Sequence, residues 1–267
     1  MELLGYLAAG LIGVTLGLMG GGGSILTVPV LVYLFGVPAA TATGDSLFLV
    51  GATAGGGAGL FARQKQVDGR AAMAFLAPAF LTVWLTRRFL VPALPQRFGS
   101  LPLGTALLLL FAALMLVTAV SMLRPRPEAP EIGKPSLGRL VPSALGVGVL
   151  TGLVGAGGGF LIVPALALFA RLPMKRAVGT SLAVIAANSL FGFFSDPALA
   201  RAADWPFLLA LTALALAGMG VGTALSKKVS GAALRPAFGV FLLVMGTYMA
   251  GHELFLNPSS ISVTLSR

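Results

Sequence analysis

Long apolar stretches, broken by short polar or glycine-rich segments, run through the whole chain. A helix needs about 20 mostly apolar residues to cross a bilayer, and five stretches of this kind or somewhat shorter occur in each half. The pattern predicts an all-α fold, that of a polytopic helical membrane protein. The apolar segments lie at about residues 3–19, 24–36, 41–62, 70–92 and 101–123, and again at about 140–155, 159–170, 177–195, 205–226 and 235–255.

A proline-rich stretch separates the two halves. Residues 124–139 contain four prolines and six charged residues, a composition typical of an exposed linker. We therefore predict an N-terminal repeat over 1–123, a cytoplasmic linker over 124–139, a C-terminal repeat over 140–256 and a polar tail over 257–267.

The two halves carry the same glycine-rich motif, 135 positions apart. Gly17–Pro29 recurs as Gly152–Pro164 without a gap, and 14 of the 34 positions from Gly17 to Val50 are identical in the second copy. Two copies of one unit, each with glycines inside apolar sequence, are typical of transporters built from internal repeats.

The apolar segment after each glycine run is short. Segments 24–36 and 159–170 reach roughly 18–20 Å at 1.5 Å per residue, less than the roughly 30 Å hydrocarbon core. Irregular backbone at this depth is tolerated only inside protein or beside a wet cavity. We predict that each half contains a glycine-linked broken or re-entrant helix hairpin.

The positions of the 18 Lys and Arg residues indicate how the halves are oriented. If the halves are inverted, 13 of these residues fall on one side and 5 on the other; if the halves are parallel, the split is 9 and 9. The positive-inside rule therefore favours two inverted repeats in the inner (plasma) membrane, with both termini outside. The loops Arg63–Arg70 and Arg171–Arg176 then share the cytoplasmic face with the linker.

Composition narrows the class of protein further. Charged residues make up 10 % of the chain, against about 25 % in a soluble domain. The net charge of +10 lies almost wholly between apolar segments, so we expect the lipid bilayer as a partner and no nucleic acid. With no cysteine and one histidine, His252, neither a metal site nor a cofactor is expected.

Each glycine run ends where a short helix begins. Glycine lets the backbone approach a ligand closely, and the free N–H groups and dipole of a helix N-terminus favour an anion. The alternative is close helix packing through small residues. A dinucleotide or phosphate loop is disfavoured because no strand precedes the glycines and no lysine follows them. The candidate anion-binding residues here are Gly20, Gly21, Gly22, Gly23, Ser24, Gly155, Gly157, Gly158, Gly159 and Phe160.

Hydroxyl groups open the next helix of each half. Thr43, Ser46, Thr180 and Ser181 can donate to the oxygens of an anion, or can cap the helix instead. Asn188 lies seven residues after Ser181 and therefore shares its helix face. Asn188 either lines the transport path or bonds a neighbouring helix.

Apart from Glu253 near the end of the last segment, Asp45 is the only acidic residue inside an apolar segment, a position that costs free energy and points to function. It can carry a coupling proton or bind a cation, it can set specificity, or it can complement the dipole of its own helix. No Ser/His/Asp set, Cys/His set or paired carboxylates occur in the apolar segments, so we do not expect an enzyme.

The element Gly-x-Gly-Gly-Gly…Val-Pro followed by Gly-Thr-Ser-Leu, once per half, resembles the sulfite exporter TauE/SafE family of membrane permeases. Copy two follows the family pattern with Gly179-Thr180-Ser181-Leu182, whereas copy one has Asp45 where threonine is usual. The resemblance implies a small polytopic permease for sulfite, sulfoacetate, other organosulfonates or small anions.

These observations predict a secondary permease that holds a small anionic substrate, sulfite or an organosulfonate, and works by alternating access. No ATP-binding element occurs, so an ion or substrate gradient must drive it. The alternatives are a passive channel or H⁺/cation-coupled carrier for another small solute, and a structural membrane subunit. Homo-oligomerisation, the anion and the direction of transport stay open.

Overall fold

The computed structural model describes residues 2–90, 93–95, 97–98, 101–124, 137–154, 159–195 and 197–251. Within these residues the fold is helical, which confirms the predicted class. A 3₁₀ turn, Gly20–Gly23, follows α1, a π-helical turn, Thr86–Leu90, follows α4, and Arg97–Phe98 pairs with Leu101–Pro102 as two antiparallel two-residue strands. The α-helices are α1 (Glu2–Met19), α2 (Ser24–Tyr33), α3 (Ala39–Arg63), α4 (Gly69–Leu85), α5 (Leu103–Leu123), α6 (Leu137–Val154), α7 (Gly159–Leu168), α8 (Met174–Phe194), α9 (Pro197–Ala202), α10 (Trp205–Lys228) and α11 (Gly231–Gly251).

Five helical stretches of the described chain are long and apolar enough to cross a membrane. Together with the apolar helices α5, α6 and α7, they make this an integral membrane protein. The five stretches are Leu4–Tyr33, Gly69–Leu90, Met174–Phe194, Trp205–Lys228 and Gly231–Gly251.

The first of these stretches folds back on itself. Gly20 adopts φ +70°, a conformation that glycine reaches without strain, and the chain reverses there. The ring of Phe35, just past α2, lies 5.4 Å from the ring of Tyr6 near the start of α1. The predicted broken-helix hairpin is therefore present in the first half. In the second half, α6 and α7 flank residues 155–158, which lie outside the described residues, as do most of the predicted linker and the predicted tail.

The helices of the two halves correspond closely. The bounds of α1 and α6, and those of α2 and α7, are 135 positions apart, as are the first residues of α3 and α8. Helices α4 and α10 are equivalent at a spacing of 136 positions, because α4 begins after its cap Asp68 and α10 begins after its cap Asp204. Asp68 Oδ1 accepts the Ala71 N–H at 2.9 Å, and Asp204 Oδ1 accepts the Phe207 N–H at 3.3 Å.

Equivalent helices of the two halves pack in opposite directions. At one end of the α3–α8 pair, Gly179 packs against Phe61, and nearer the other end Gly51 packs against Leu190. Helices α5 and α11 also run antiparallel, because Gly239 contacts Met122 whereas Gly246 contacts Met115. Antiparallel equivalents are the expected geometry of inverted repeats. The orientation of the halves in a membrane stays a prediction.

Two of the predicted cytoplasmic loops meet at one end of this bundle. The Asp68 N–H, just after α3, donates to Thr180 Oγ1 near the start of α8 at 3.0 Å. This bond holds the Arg63–Arg70 loop beside the Arg171–Arg176 loop. Their shared position agrees with the charge-based topology, and we call this end of the fold the basic end.

Candidate substrate cavity

A cavity of about 150 Å³ lies between α4 and α6 on one side and α3 and α8 on the other, with the first residues of α2 and α7 in its wall. It lies toward the end of the fold opposite the basic end, since Ser46 is near the start of α3 and Gly192 near the end of α8. Its polar lining comes from Ser24, Ser46, Thr151, Asn188 and Ser189, and much of its apolar lining from Phe75, Phe80, Val83, Val147, Ile162 and Ile185.

The cavity wall contains the first residue of both short helices. Ser24 begins α2 and Gly159 begins α7, and the two come from different halves of the chain. The Ser24 N–H bonds to the carbonyls of Gly21 and Gly22, and the Ser24 hydroxyl donates to the Gly21 carbonyl at 2.7 Å. The 3₁₀ turn thus continues directly into α2 and fixes where its first turn points.

The glycines of the first turn are buried and do not line the cavity. Gly21 packs against the carbonyl of Gly159, and Gly23 packs against the carbonyl of Ile12. Gly20 faces Ser181, and Gly22 faces two phenylalanine rings of α11. Without side chains, these residues let the hairpin tip reach the start of α7 and so place Ser24 beside Gly159. Direct contact between these glycines and an anion stays a prediction, and Gly155, Gly157 and Gly158 lie outside the described residues.

The predicted hydroxyl residues separate into two groups. Ser46 lines the cavity, and its hydroxyl donates to the Thr43 carbonyl at 2.8 Å. Thr43, half-buried, is not among the lining residues. Thr180 and Ser181 are fully buried away from it: Thr180 accepts the Asp68 N–H, and Ser181 donates to the Val178 carbonyl at 2.8 Å. The structure thus gives Thr180 a contact that ties α8 to the segment before α4, and gives Ser181 a bond within α8.

Phe160 and Asn188 have contrasting surroundings. Phe160 is fully buried and packs edge-to-face on Phe111, with ring centroids 4.9 Å apart. Asn188 lines the cavity, and its Oδ1 atom is buried without a hydrogen-bond partner in the described part of the chain. Buried polar atoms normally have partners, so an unpaired one requires a reason. A cavity occupant supplies one, because the amide can present either its oxygen or its NH₂ group.

Two polar lining residues, Thr151 and Ser189, were not predicted. Ser189 follows Asn188 directly, and Thr151 directly precedes the second glycine motif. Both adjacencies were visible signals in the sequence. None of the described residues that line this cavity is charged, so its polarity comes from hydroxyl groups, one amide and the backbone.

Asp45 lies beside the cavity and not in it. Its side chain is 5 % exposed, and it directly precedes the lining residue Ser46. The nearby carboxylate of Asp204, the exposed cap of α10, interacts with it unfavourably. Among the described residues, no group of three His, Cys, Asp or Glu side chains is placed to hold a metal ion.

Comparison with known proteins identifies the family. The family model for the sulfite exporter TauE/SafE proteins matches residues 5–249. The chain belongs to the TauE/SafE family. It is 34 % identical over 252 residues to a probable membrane transporter protein of Xylella fastidiosa strain 9a5c, which covers 91 % of this chain and 92 % of the relative.

A second TauE/SafE-like relative matches only part of the chain. The probable membrane transporter protein YunE of Bacillus subtilis is 33 % identical over 109 residues, or 41 % of this chain and 40 % of YunE. No solved structure matches the chain. The family and the relatives are those of membrane transporters, so this TauE/SafE protein is a membrane transporter and not an enzyme.

Proposed function

We propose that this transporter moves a small oxyanion, sulfite or a small organosulfonate such as sulfoacetate, and that the cavity beside Asn188 holds it. The observation that carries the proposal is the lining itself. Two helix N-termini and a set of hydroxyl and amide groups converge on one space between the two halves. Helix N-termini and neutral donors are the groups that proteins use to bind oxyanions without a cationic side chain.

Electrostatics favours a substrate of low charge. Each helix N-terminus contributes a partial charge of roughly +0.5, and α2 and α7 begin at Ser24 and Gly159 in the cavity wall. Because no charged side chain is among the described lining residues, these dipoles supply at most about one positive charge, and less at α2, whose Ser24 N–H already bonds to the Gly21 and Gly22 carbonyls. A monoanion such as hydrogen sulfite or a simple alkanesulfonate is matched best, ahead of sulfoacetate, which carries a second charge on its carboxylate.

The lining of the cavity has a polar part and an apolar part. Ser24, Ser46 and Asn188 offer hydrogen bonds, whereas Phe75 and Phe80 offer apolar surface. A dry engineered cavity of about 150 Å³ accommodates benzene, and the volume here is similar. The oxyanion group would bind at the polar wall, and a short organic chain would pack on the rings.

For transport, we propose alternating access between inverted halves. The antiparallel packing of α3 on α8 and of α5 on α11 supports inversion, and the cavity reaches toward the end opposite the basic end. With the basic loops in the cytoplasm of a cell with an inner membrane, the described conformation presents the site on the outer side. Asp45, beside the site, would carry the coupling proton.

A cation-coupled carrier for another small solute is the second candidate. It is favoured by Asp45 and Asp204, whose carboxyl groups interact at the start of α3, and by the unpaired oxygen of Asn188. Stabilisation of the protein by Na⁺ or K⁺, lost in Asp45→Asn, would favour this candidate over an oxyanion permease.

Binding of sulfite to purified protein tests the leading proposal. We expect sulfite to raise the melting temperature of the wild type, and Asn188→Ala to weaken binding roughly 10- to 150-fold, the range for a hydrogen bond to a charged group worth about 1.5–3 kcal/mol. Thr212→Val is the matched control, because this buried threonine bonds within α10 and does not line the cavity. No stabilisation by sulfite or by small sulfonates, or equal affinities of wild type and Asn188→Ala, would contradict the proposal.

A further inference from the structure

Two buried polar atoms without hydrogen-bond partners in the described chain occupy equivalent positions of the two repeats. They are Oγ1 of Thr53 in α3 and Oδ1 of Asn188 in α8, and the two residues are 135 positions apart, the repeat spacing of these helices. Asn188 faces the cavity. The question is what the equivalent atom of Thr53 faces.

Thr53 differs from other buried hydroxyl residues of this chain. Thr212 donates to the Leu208 carbonyl at 2.7 Å, and Ser226 donates to the Thr223 carbonyl at 2.8 Å, each within its own helix. Thr53 is fully buried, yet no such bond satisfies its hydroxyl. An unpaired buried hydroxyl lowers stability unless some other state of the protein uses it.

The place equivalent to the cavity is filled by side chains. One turn after Thr53, Gly57 packs against the sulfur and methyl carbon of Met219 and against Leu182. The corresponding glycine, Gly192, borders the open cavity. Met219 is fully buried, and its equivalent in α4, by the shift of 136, is the smaller cavity-lining Val83.

At a second position, too, a larger apolar side chain stands where the Asn188 side of the α3–α8 pair has a cavity-lining residue. Leu16 in α1 is fully buried, and its equivalent 135 positions later is the cavity-lining Thr151. At these two positions the Thr53 side of the α3–α8 pair therefore carries the larger and more apolar side chain. It also lies nearer the basic end, since Gly57 is in the second half of α3 and Leu182 in the first half of α8.

We propose that Thr53 is a second substrate-contact residue, in a site on the basic-end side of the α3–α8 pair that Met219 closes in this conformation. When the α1–α10 side opens and the α4–α6 side closes, the Thr53 hydroxyl donates to the oxyanion, the role that the proposed function gives to Asn188. The identity of the ligand rests on the proposed function; the existence of the second site does not.

Thiol labelling tests the second site without any substrate. The natural chain contains no cysteine, so a single introduced cysteine is the only thiol that the reagent can label. In sealed vesicles of known orientation, the probe is the membrane-impermeant cationic reagent 2-(trimethylammonium)ethyl methanethiosulfonate, which carries no sulfonate group. A minor conformation is populated to about 0.1–10 %, so Thr53→Cys should react at about that fraction of the rate of Arg63→Cys on the exposed loop of the same end.

The control variants fix the interpretation. Ala119→Cys, at a fully buried position where α5 meets α11, should stay unlabelled, and Asn188→Cys should react from the opposite face. Met219→Ala should raise the rate at Thr53→Cys several-fold. If Thr53→Cys does not fold, Ala54→Cys takes its place, because Ala54 is fully buried and equivalent to the lining residue Ser189.

Two results would overturn the second site: labelling of Thr53→Cys no faster than Ala119→Cys, or labelling from the same face as Asn188→Cys. Flux adds a chemical test in proteoliposomes loaded with sulfite. Thr53→Ser should keep the flux and Thr53→Val should lower it at least about tenfold, with sulfite binding at Asn188 unchanged. Failure of the wild type to transport sulfite would overturn the proposed function alone.

Discussion

The open side and the closed side of the α3–α8 pair are built from equivalent helices and differ in their side chains. On the open side Val83, Thr151 and Asn188 border the cavity, and on the closed side Met219, Leu16 and Thr53 stand at the equivalent positions. The backbone plan is shared, since the helix bounds repeat at a spacing of 135. The difference therefore lies mainly in side-chain volume and polarity.

This difference shows how two copies of one unit can favour one conformation. A strictly symmetric pair of repeats would have no preference between opening toward one end and toward the other. On the closed side, Met219 stands where the open side has Val83, and Leu16 stands where the open side has Thr151. At these two positions the closed side therefore gains apolar contacts. Side-chain differences of this size are worth a few kcal/mol at most, which is the scale of a conformational equilibrium that a ligand can shift.

The largest effect on stability is expected at the glycine hairpin between α1 and α2. A methyl group on Gly21 would overlap the carbonyl of Gly159, so Gly21→Ala should destabilise the protein by about 3 kcal/mol or more, the upper range for overpacking. Gly22→Ala is the matched variant, because its Cβ would lie 3.2 Å from the Phe238 ring, which can shift. Thermal unfolding and the yield of monodisperse protein measure both. Equal stability of the two variants would mean that the hairpin tip does not pack on α7.

Transferring the closed side's methionine to the open side should remove the cavity. Val83→Met places the longer side chain of Met219 at the equivalent position in α4. We expect sulfite affinity to fall at least about tenfold, or about 1.4 kcal/mol, while the fold is kept. Val240→Met, on the exposed face of α11, is the control that should bind as wild type does. Wild-type affinity in Val83→Met would place the substrate elsewhere.

Removing either of the two equivalent aspartate caps should lower the stability of the protein by a similar amount. Asp68→Ala and Asp204→Ala each remove a carboxylate that accepts an N–H of the first turn, a loss of about 1 kcal/mol. Asp68→Ala should cost slightly more, because its bond is shorter, 2.9 Å against 3.3 Å, and half-buried. Differential scanning calorimetry compares them, and a far larger loss for Asp204→Ala would show that the equivalence of α4 and α10 fails.

The smallest effect on affinity is expected at Asp45. Asp45 is buried beside the cavity without lining it. Asp45→Asn should leave sulfite affinity within about threefold, under about 0.7 kcal/mol, and should flatten the pH dependence of flux in proteoliposomes. Ser46→Ala, at the neighbouring lining residue, is the comparison that should lower affinity without changing the pH profile. The reverse assignment of these two phenotypes would place Asp45 in the binding shell.

Local patterns in the sequence predicted the helical class, the repeat and the hairpin, because glycine runs and the short segments 24–36 and 159–170 are local features. Asn188 was singled out because it shares a helix face with Ser181, yet Asn188 lines the cavity and Ser181 does not, so that reason does not explain its position. Thr151 and Ser189 adjoin predicted features but were missed, because which neighbours of those features line the cavity depends on how four helices pack around it. The bond from Asp68 to Thr180, 112 positions away, is likewise invisible until the halves are assembled.

The central claim is that a small oxyanion binds between the N-termini of α2 and α7 beside Asn188. Selenite is a close analogue of sulfite, and selenium gives a much stronger anomalous diffraction signal than sulfur. In crystals grown with selenite, we predict one anomalous peak in the cavity, with oxygens within about 3.2 Å of polar atoms of Ser24, Ser46 or Asn188. An empty cavity at saturating selenite, or a peak at another place in the protein, would contradict the account.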